Sequence, residues 1–254
     1  MKILLSGYCG HMGKEGRELI RAGCRGAELA GGVDVAADSA GDAVPCVTSF
    51  RAAMDVPACR EADCIIDFSH HSCTQDLLTF AVEMGMPAVL ATTGHTEEEK
   101  AAIRKAAGRV PVFFSANMSC GIALLVELAK KTAQTFPEAE IEIVEVHHDR
   151  KLDAPSGTAR MLVEAIREVR PEAYPVMGRS GQAKRTPEEI GVHSLRIGNV
   201  VGEHEVIVAT QTQTITLKHQ AHSRALFAEG ALAAAEFLLR QDPGLYTMAD
   251  MVKL

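Results

Sequence analysis

KILLSGYCGHMGKEGRELIRAGCRGAELAGGVD, residues 2–34, sets the architecture of the first half of this chain. It opens as a short apolar run at 3–6 and passes through Gly7-Tyr8-Cys9-Gly10-His11-Met12-Gly13. A helical pattern over 14–22 follows, then a second β-type run over 29–34. Strand, glycine turn and amphipathic helix, in that order, are the parts of a dinucleotide-binding unit. The glycines permit a tight turn and let a pyrophosphate approach the helix start, where unpaired N–H groups and the helix dipole favour an anion. Met12, Gly16, Leu19 and Ile20 fall on one face of the predicted helix. Asp34 ends the second strand, where a carboxylate can accept both hydroxyls of an adenosine ribose. GxxGxxG alone is a weak signal that a plain glycine-rich turn would satisfy. Its place between a strand and an amphipathic helix gives it weight.

The alternation continues with CIIDF at 64–68, a helix near 74–84, PAVLATTG at 87–94, a helix over 97–107 and VPVFFSAN at 110–117. Continuous apolar strands separated by helices predict a parallel sheet covered on both faces, an α/β, doubly wound, Rossmann-like fold. The second half differs: EIEIVEVHH at 140–148 is followed by a helix, a polar loop near 170–190, and then HSLRIG, GEHEVIVAT and QTITLKH. Successive β-type runs without helices between them predict a second α+β domain on an open mixed sheet. A final alanine- and leucine-rich helix over 224–240 would pack back on the first domain. The predicted division is therefore 1–118 with 225–254, and 119–224.

The densest chemistry lies in EVHHDRKLDAPSGTA, 145–159. His147, His148 and Lys151 can hold or move protons near neutral pH. Ala159, Leu162, Val163 and Ile166 recur at helical spacing, so the turn before them is a helix N-terminus, with Pro155 tolerated in its first turn. Gly157 there has no side chain to block an anion. Any one of these residues could be an ordinary cap or turn residue; together they fit a substrate bearing carboxylates.

Composition narrows the classes. With 254 residues and 47% hydrophobic content the chain can bury a large core in one or two domains. A net charge of −7 argues against a nucleic-acid surface. The seven cysteines are odd in number and lack CxxC spacing, which predicts a reducing cytoplasm. No apolar run approaches the roughly 20 residues that span a bilayer, and Met1 leads directly into a strand, so neither secretion nor membrane insertion is expected. The adjacent histidines lack zinc-ligand spacing, and no metal is expected.

The chain resembles the bacterial dihydrodipicolinate reductases of the diaminopimelate and lysine pathway. The resemblance runs end to end. It rests on GxxGxMG at 7–13, ATTG at 91–94, SANMSxG at 115–121, HHxxKxDAPSGTA at 147–159, RxGxxxGEH at 196–204 and SRxxFAxGA at 223–231. It implies hydride transfer from a reduced nicotinamide to a cyclic imine dicarboxylate, with loss of water. By resemblance His147 is a proton donor or acceptor, Lys151 the proton donor, and His148, Gly157 and Thr158 hold a substrate carboxylate. The cofactor would lie on Gly7, Tyr8, Cys9, Gly10, His11 and Met12. Its ribose would meet Asp34, and its nicotinamide side Ala91, Thr92 and Thr93, with further contacts at Ser115, Ala116, Asn117 and Met118. Val35, Ala36 and Ala37 cannot pair a 2′-phosphate, so NADH is the expected preference; His11 and Lys14 leave NADPH use open. Tyr8 and Ala91 replace the family's commoner alanine and glycine. The resemblance also implies a homotetramer built through the second domain, a part in binding or ordering for Arg224, and a lid or subunit contact for the loop with Arg179, Lys184 and Arg185.

His70, His71, His204, His219 and His222 read as surface or structural residues. Two other readings stay open on the first half alone: another two-domain nicotinamide dehydrogenase of amino-acid-like anions, and a non-catalytic nucleotide sensor. Neither gives the HHxxKxDAPSGTA block a task.

Overall fold

Ile3, Leu4 and Leu5 are buried on both sides of the first strand, as a strand sandwiched between helix layers must be. The computed structural model describes residues 1–37 and 43–252. The described chain forms two compact units: Met1–Ser119 with residues 224–252, and Cys120–Ser223. The last two residues of the predicted 225–254 segment lie outside the described residues.

The first unit contains β1 (Lys2–Ser6), α1 (His11–Arg21), β2 (Glu28–Val33), β3 (Cys46–Val47), α2 (Phe50–Ala53), α3 (Pro57–Arg60), β4 (Cys64–Asp67), α4 (Thr74–Met84), β5 (Ala88–Leu90), α5 (Glu97–Ala107) and β6 (Pro111–Phe114). The second holds α6 (Cys120–Thr135), β7 (Glu140–His147), α7 (Gly157–Val169), β8 (Tyr174–Met177), β9 (Glu189–Arg196), β10 (Gly202–Ala209) and β11 (Thr214–Ala221). The chain then returns to the first unit with α8 (Ala225–Leu238), β12 (Gly244–Tyr246) and α9 (Met248–Met251).

In the first unit seven parallel strands run in the order β3, β2, β1, β4, β5, β6, β12. The chain works outward from β1 to β3, then crosses back to lay β4 on the other side of β1. That reversal leaves a crevice at the carboxyl ends of β1 and β4. Helix α5 starts where Thr96 and Glu99 form a reciprocal cap, and Glu97, Glu98 and Glu99 in its first turn complement the dipole. Helix α8 packs on α1 and on β4, β5 and β6. Its alanines allow close approach, and at Gly230 a Cβ would sit 1.6 Å from the Met118 carbonyl oxygen.

Tyr8 is fully buried. The larger side chain fits because Gly32 on the neighbouring strand has no Cβ, which would otherwise lie 2.3 Å from the Tyr8 ring. The Arg17 guanidinium stacks 4.4 Å from the ring centroid on this same residue.

The second unit is a mixed sheet in the order β11, β10, β7, β9, β8, with β10 antiparallel to β7 and β11, and β7, β9 and β8 parallel. Its core gathers Ile122, Leu125 and Ala129 of α6, Leu162 and Ile166 of α7, and Ile141, Ile143, Val206 and Val208 of the sheet. Strand alternation puts Ile141, Ile143, Glu145 and His147 on one buried face of β7. The apolar core thus ends in a buried carboxylate and imidazole.

Three expectations need correction. A sixteen-residue helix, α6, fills a stretch for which the sequence reading assigned no element. The polar loop near 170–190 contains the strand β8 at the sheet edge, where Pro175 costs no central ladder bond. Pro155 precedes the cap residue of α7 instead of occupying its first turn.

Candidate active site

In the first unit the turn after β1 consumes its own polar groups. Gly7 N–H donates to the Val33 carbonyl (2.9 Å), Cys9 N–H to Asp34 Oδ2 (2.8 Å), and Gly10 N–H to the Gly7 carbonyl (3.0 Å). An anion is therefore left with the first N–H groups of α1, from His11 and Met12, for which a helix start has no internal acceptor. Gly7 holds φ +76°, and a Cβ there would lie 2.6 Å from the Phe68 carbonyl; at Gly13 a Cβ would lie 2.1 Å from the Gly7 oxygen.

A cleft of about 500 Å³ opens beside this turn, lined among others by Gly7, Gly10, Asp34, Ser69 and His70. Among the described residues no lysine or arginine lines it. Asp34 is oriented by two backbone donors, Cys9 N–H on Oδ2 and Ala36 N–H (2.9 Å) on Oδ1, while Val35 beside it is 87% exposed.

Asp67, at the end of β4, is fully buried and ties two crevice loops together. Its Oδ1 accepts from Ser69 N–H (3.1 Å) and Oγ–H (2.6 Å), and its Oδ2 from Thr92 Oγ–H (2.8 Å). Ala91 N–H donates to the Asp67 carbonyl (3.1 Å), so the ATTG segment is positioned from β4. At 115–118, Ser115 Oγ–H donates to the Asn117 carbonyl (2.7 Å), and Asn117 Oδ1 accepts from Ser119 N–H (2.9 Å); Met118 is buried and Ala116 exposed.

His70 reaches the cleft, and His71 pairs with Glu99 (2.9 Å). Burial lowers the pKa of His95, whose ring meets Phe114 edge-on.

In the second unit the HHxxK block is organised by Glu145. This carboxylate is wholly buried, and Arg196 from β9 grips it with two nitrogens at 2.8 and 3.0 Å. Ser156 N–H adds a third donor (3.2 Å) and His147 Nδ1 a fourth. Burial would push the Glu145 carboxyl up, but the bonds from Arg196, Ser194 and His147 outweigh it and hold its pKa at about 2. Burial lowers the His147 pKa against the pull of Glu145. An ionised Glu145 can only accept, so the hydrogen of this contact lies on His147 Nδ1.

Arg196 also donates to the Asp153 carbonyl (2.6 Å), pinning the loop between β7 and α7. Truncating one partner of such a buried pair typically costs about 3–5 kcal/mol.

Ser156 caps α7: its Oγ accepts from Ala159 N–H (3.2 Å) and pairs with buried His204 Nε2 (3.1 Å). Desolvation takes the His204 pKa down to about 4, and its ring stands edge-on to His147 at 5.1 Å. With Ala159 N–H used, Gly157 is the first open position of the helix, and a Cβ there would meet nothing within 4 Å. His148 is half-buried, with Nδ1 lacking a partner among the described residues. Lys151 Nζ pairs with Asp153 at 2.8 Å, which lowers the Asp153 pKa.

The unit thus brings His147, His148, Lys151, Gly157 and Thr158 onto one strand end, one loop and one helix start, while the predicted nucleotide residues belong to the other unit. The loop with Arg179 and Arg185 is docked on its own sheet, through Glu189 and through Glu142 respectively. Arg224 is the exposed cap residue of α8. Among the described residues no group of metal-binding side chains occurs, and no helix is long and apolar enough to cross a membrane.

The sequence pattern of "Dihydrodipicolinate reductase, N-terminus" matches residues 1–118, and that of "Dihydrodipicolinate reductase, C-terminus" matches residues 121–252. The chain belongs to the dihydrodipicolinate reductase family. Among relatives, the 4-hydroxy-tetrahydrodipicolinate reductase of Caldanaerobacter subterraneus subsp. tengcongensis is 49% identical over 76% of this chain and 78% of its own. That of Alkaliphilus oremlandii is 39% identical over 100% of this chain and 99% of its own. A solved structure titled dipicolinate-bound dihydrodipicolinate reductase, from Paenisporosarcina sp. TG-14, shares the fold at TM-score 0.82 over 99% of both chains, with 22% identity. As a dihydrodipicolinate reductase family member the chain is a nicotinamide-dependent oxidoreductase.

Sequence reasoning gave no task to Asp67, Glu145 or Arg196. Asp67 carried a signal as the one carboxylate of CIIDF, and Glu145 as the glutamate out of phase with Glu140 and Glu142, on the face of Ile141 and Ile143.

Proposed function

We propose that this chain carries out 4-hydroxy-tetrahydrodipicolinate reduction in the diaminopimelate route to lysine, with the dicarboxylate held on the unit formed by Cys120–Ser223. The observation that carries the reading is the start of α7: Ser156 takes the Ala159 N–H and leaves Gly157 open, next to His147, His148 and Lys151. A substrate carboxylate there receives N–H groups of Gly157 and Thr158 and the imidazole of His148. The reduced nicotinamide supplies the hydride. Loss of the 4-hydroxyl as water gives the conjugated imine; addition of hydride to it leaves an enamine-like centre that needs a proton, and the Lys151 ammonium is the acid, its position set by Asp153. Neutral His147 accepts or returns a proton through Nε2.

The crevice of the first unit fits the cofactor. The glycine turn brings backbone close to a pyrophosphate, the His11 and Met12 N–H groups receive it, and Asp34 takes the adenosine ribose. Ala91, Thr92, Thr93 and Ser115 to Met118 form the nicotinamide side, braced by Asp67. Tyr8 contributes backbone alone, since its ring is fully buried. With acidic Asp34 and no lysine or arginine among the described residues of the cleft lining, NADH is preferred and NADPH is the poorer donor. Asp34→Ala is expected to weaken NADH binding more than NADPH binding. Equal dissociation constants to the wild type for both cofactors would displace the ribose contact.

Seven free thiols suit the reducing cytoplasm, where we place the protein. Four copies would assemble through the sheet face opposite α6 and α7, which carries Val144, Val146, Leu195 and Ile207. Pyridine-2,6-dicarboxylate serves as a substrate probe. Gly157→Val is expected to weaken its binding on the order of tenfold, about 1.4 kcal/mol, with an unchanged melting temperature. Undiminished affinity would remove the carboxylate from this helix start.

A further inference from the structure

Glu145 lies two residues before His147 on the same buried face of β7 and is wholly enclosed. Its oxygens are fixed by Arg196 of β9, by Ser156 N–H and by His147 Nδ1. An ionised carboxylate can only accept, so the hydrogen between Glu145 and the imidazole sits on Nδ1, and the ring's lone pair is on Nε2. The Nε2 side is kept clear by Gly202, where a Cβ would lie 3.1 Å from that nitrogen. Among the described residues, the charged and titratable groups that face the ring are Glu145 on its own strand, Arg196 from β9, His204 from β10 and Lys151 from the following loop. Arg196 is committed to Glu145 and to the Asp153 and Leu195 carbonyls, and Lys151 to Asp153. Glu145 is the only one of the four that holds a ring nitrogen of His147.

We propose that Glu145 is a positioning residue for the reduction: clamped by Arg196, it fixes His147 in the tautomer that presents Nε2 as the proton acceptor. The same carboxylate anchors the N-terminal turn of α7 through Ser156, so the orientation of the base and the place of the substrate carboxylate are set by one group. This rests on the assignment of His147 to the reaction. The geometry explains why a costly buried ion pair stands at this strand end, since apolar residues of similar volume would be the more stable filling. It also gives Arg196 its function, because a free Glu145 could rotate away from the ring.

Two measurements test the proposal on the full chain. In long-range proton–nitrogen spectra of protein carrying isotope-labelled histidine, the His147 signals, identified by their loss in His147→Ala, are expected to show a protonated Nδ1 and a bare Nε2 near neutral pH. A ring protonated on Nε2, or on both nitrogens, overturns the proposal whether or not the enzyme turns over. In steady-state kinetics Glu145→Gln is expected to lower kcat on the order of 10²-fold with KM for the dicarboxylate changed by a much smaller factor. The limb of the pH–rate profile that reports His147 should move to lower pH, because loss of a neighbouring anion disfavours the imidazolium. Unchanged kcat and an unmoved limb overturn it. If Glu145→Gln fails to fold, the wild-type spectrum decides. A correct tautomer in a wild-type chain that does not reduce the dicarboxylate refutes the catalytic role, and with it the proposed function.

Discussion

Lys151→Ala is expected to lower kcat on the order of 10²-fold or more while NADH affinity stays at the wild-type value. The side chain is about one-fifth exposed and its ammonium is held 2.8 Å from Asp153, so its position is fixed while solvent can replenish the proton. Among the described residues its ion pair is with an exposed aspartate on a loop that Arg196 already secures. The loss should therefore fall on the proton-delivery step. Asp34 and the glycine turn, which carry the nucleotide reading, are untouched by the change. His147→Ala should have a comparable effect on kcat, with some loss of stability because Glu145 then loses one donor. Steady-state kinetics with a separate NADH titration separates the two quantities. Turnover like wild type in both variants would contradict the assignment of these residues.

Gly13→Ala is expected to be the most damaging single-methyl change in the first unit. The added Cβ would stand 2.1 Å from the Gly7 oxygen and 2.7 Å from that of Tyr8. Both are backbone atoms of a turn already fixed by bonds to Val33 and Asp34, so the turn cannot give way without losing them. Overpacking of this kind costs about 1–3 kcal/mol, and the helix start that would receive the pyrophosphate shifts with it. A lowered melting temperature and NADH binding weakened on the order of tenfold or more, about 1.4 kcal/mol or more, are expected. Gly16→Ala is the control: one turn further along α1 its Cβ would meet only side-chain atoms at 3.7 Å or beyond, and stability and binding should stay near wild type. Equal behaviour of the two variants would show that close approach at Gly13 does not shape the turn.

The doubly wound unit was legible because its signals are local. Apolar runs such as CIIDF and VPVFF can only be central strands, and the 97–107 helix is bounded by a cap readable as T-x-x-E. Short edge elements escaped: β3 has two residues and β12 three, and each gains its identity from a neighbour, not from its own pattern. Helix α6 was missed although Ile122, Leu125, Ala129 and Ala133 carry the helical spacing. The histidines and lysine of the site were visible as a cluster within five residues. Their support was not, because Arg196 lies 51 residues from Glu145. Only the parallel register of β7 and β9, with His147 opposite Arg196, brings them together. The acceptance of Tyr8 depends in the same way on Gly32, a partner that no local pattern indicates.

The account's central claim is that this chain reduces the cyclic imine dicarboxylate at the expense of a nicotinamide. The direct measurement is to supply the purified protein with the freshly formed condensation product of pyruvate and aspartate semialdehyde, and to follow loss of nicotinamide absorbance with NADH and with NADPH in parallel. Oxidation of cofactor matched by formation of tetrahydrodipicolinate, with the higher kcat/KM for NADH, is the predicted result. Binding of both cofactors without any oxidation in the presence of that product would contradict it.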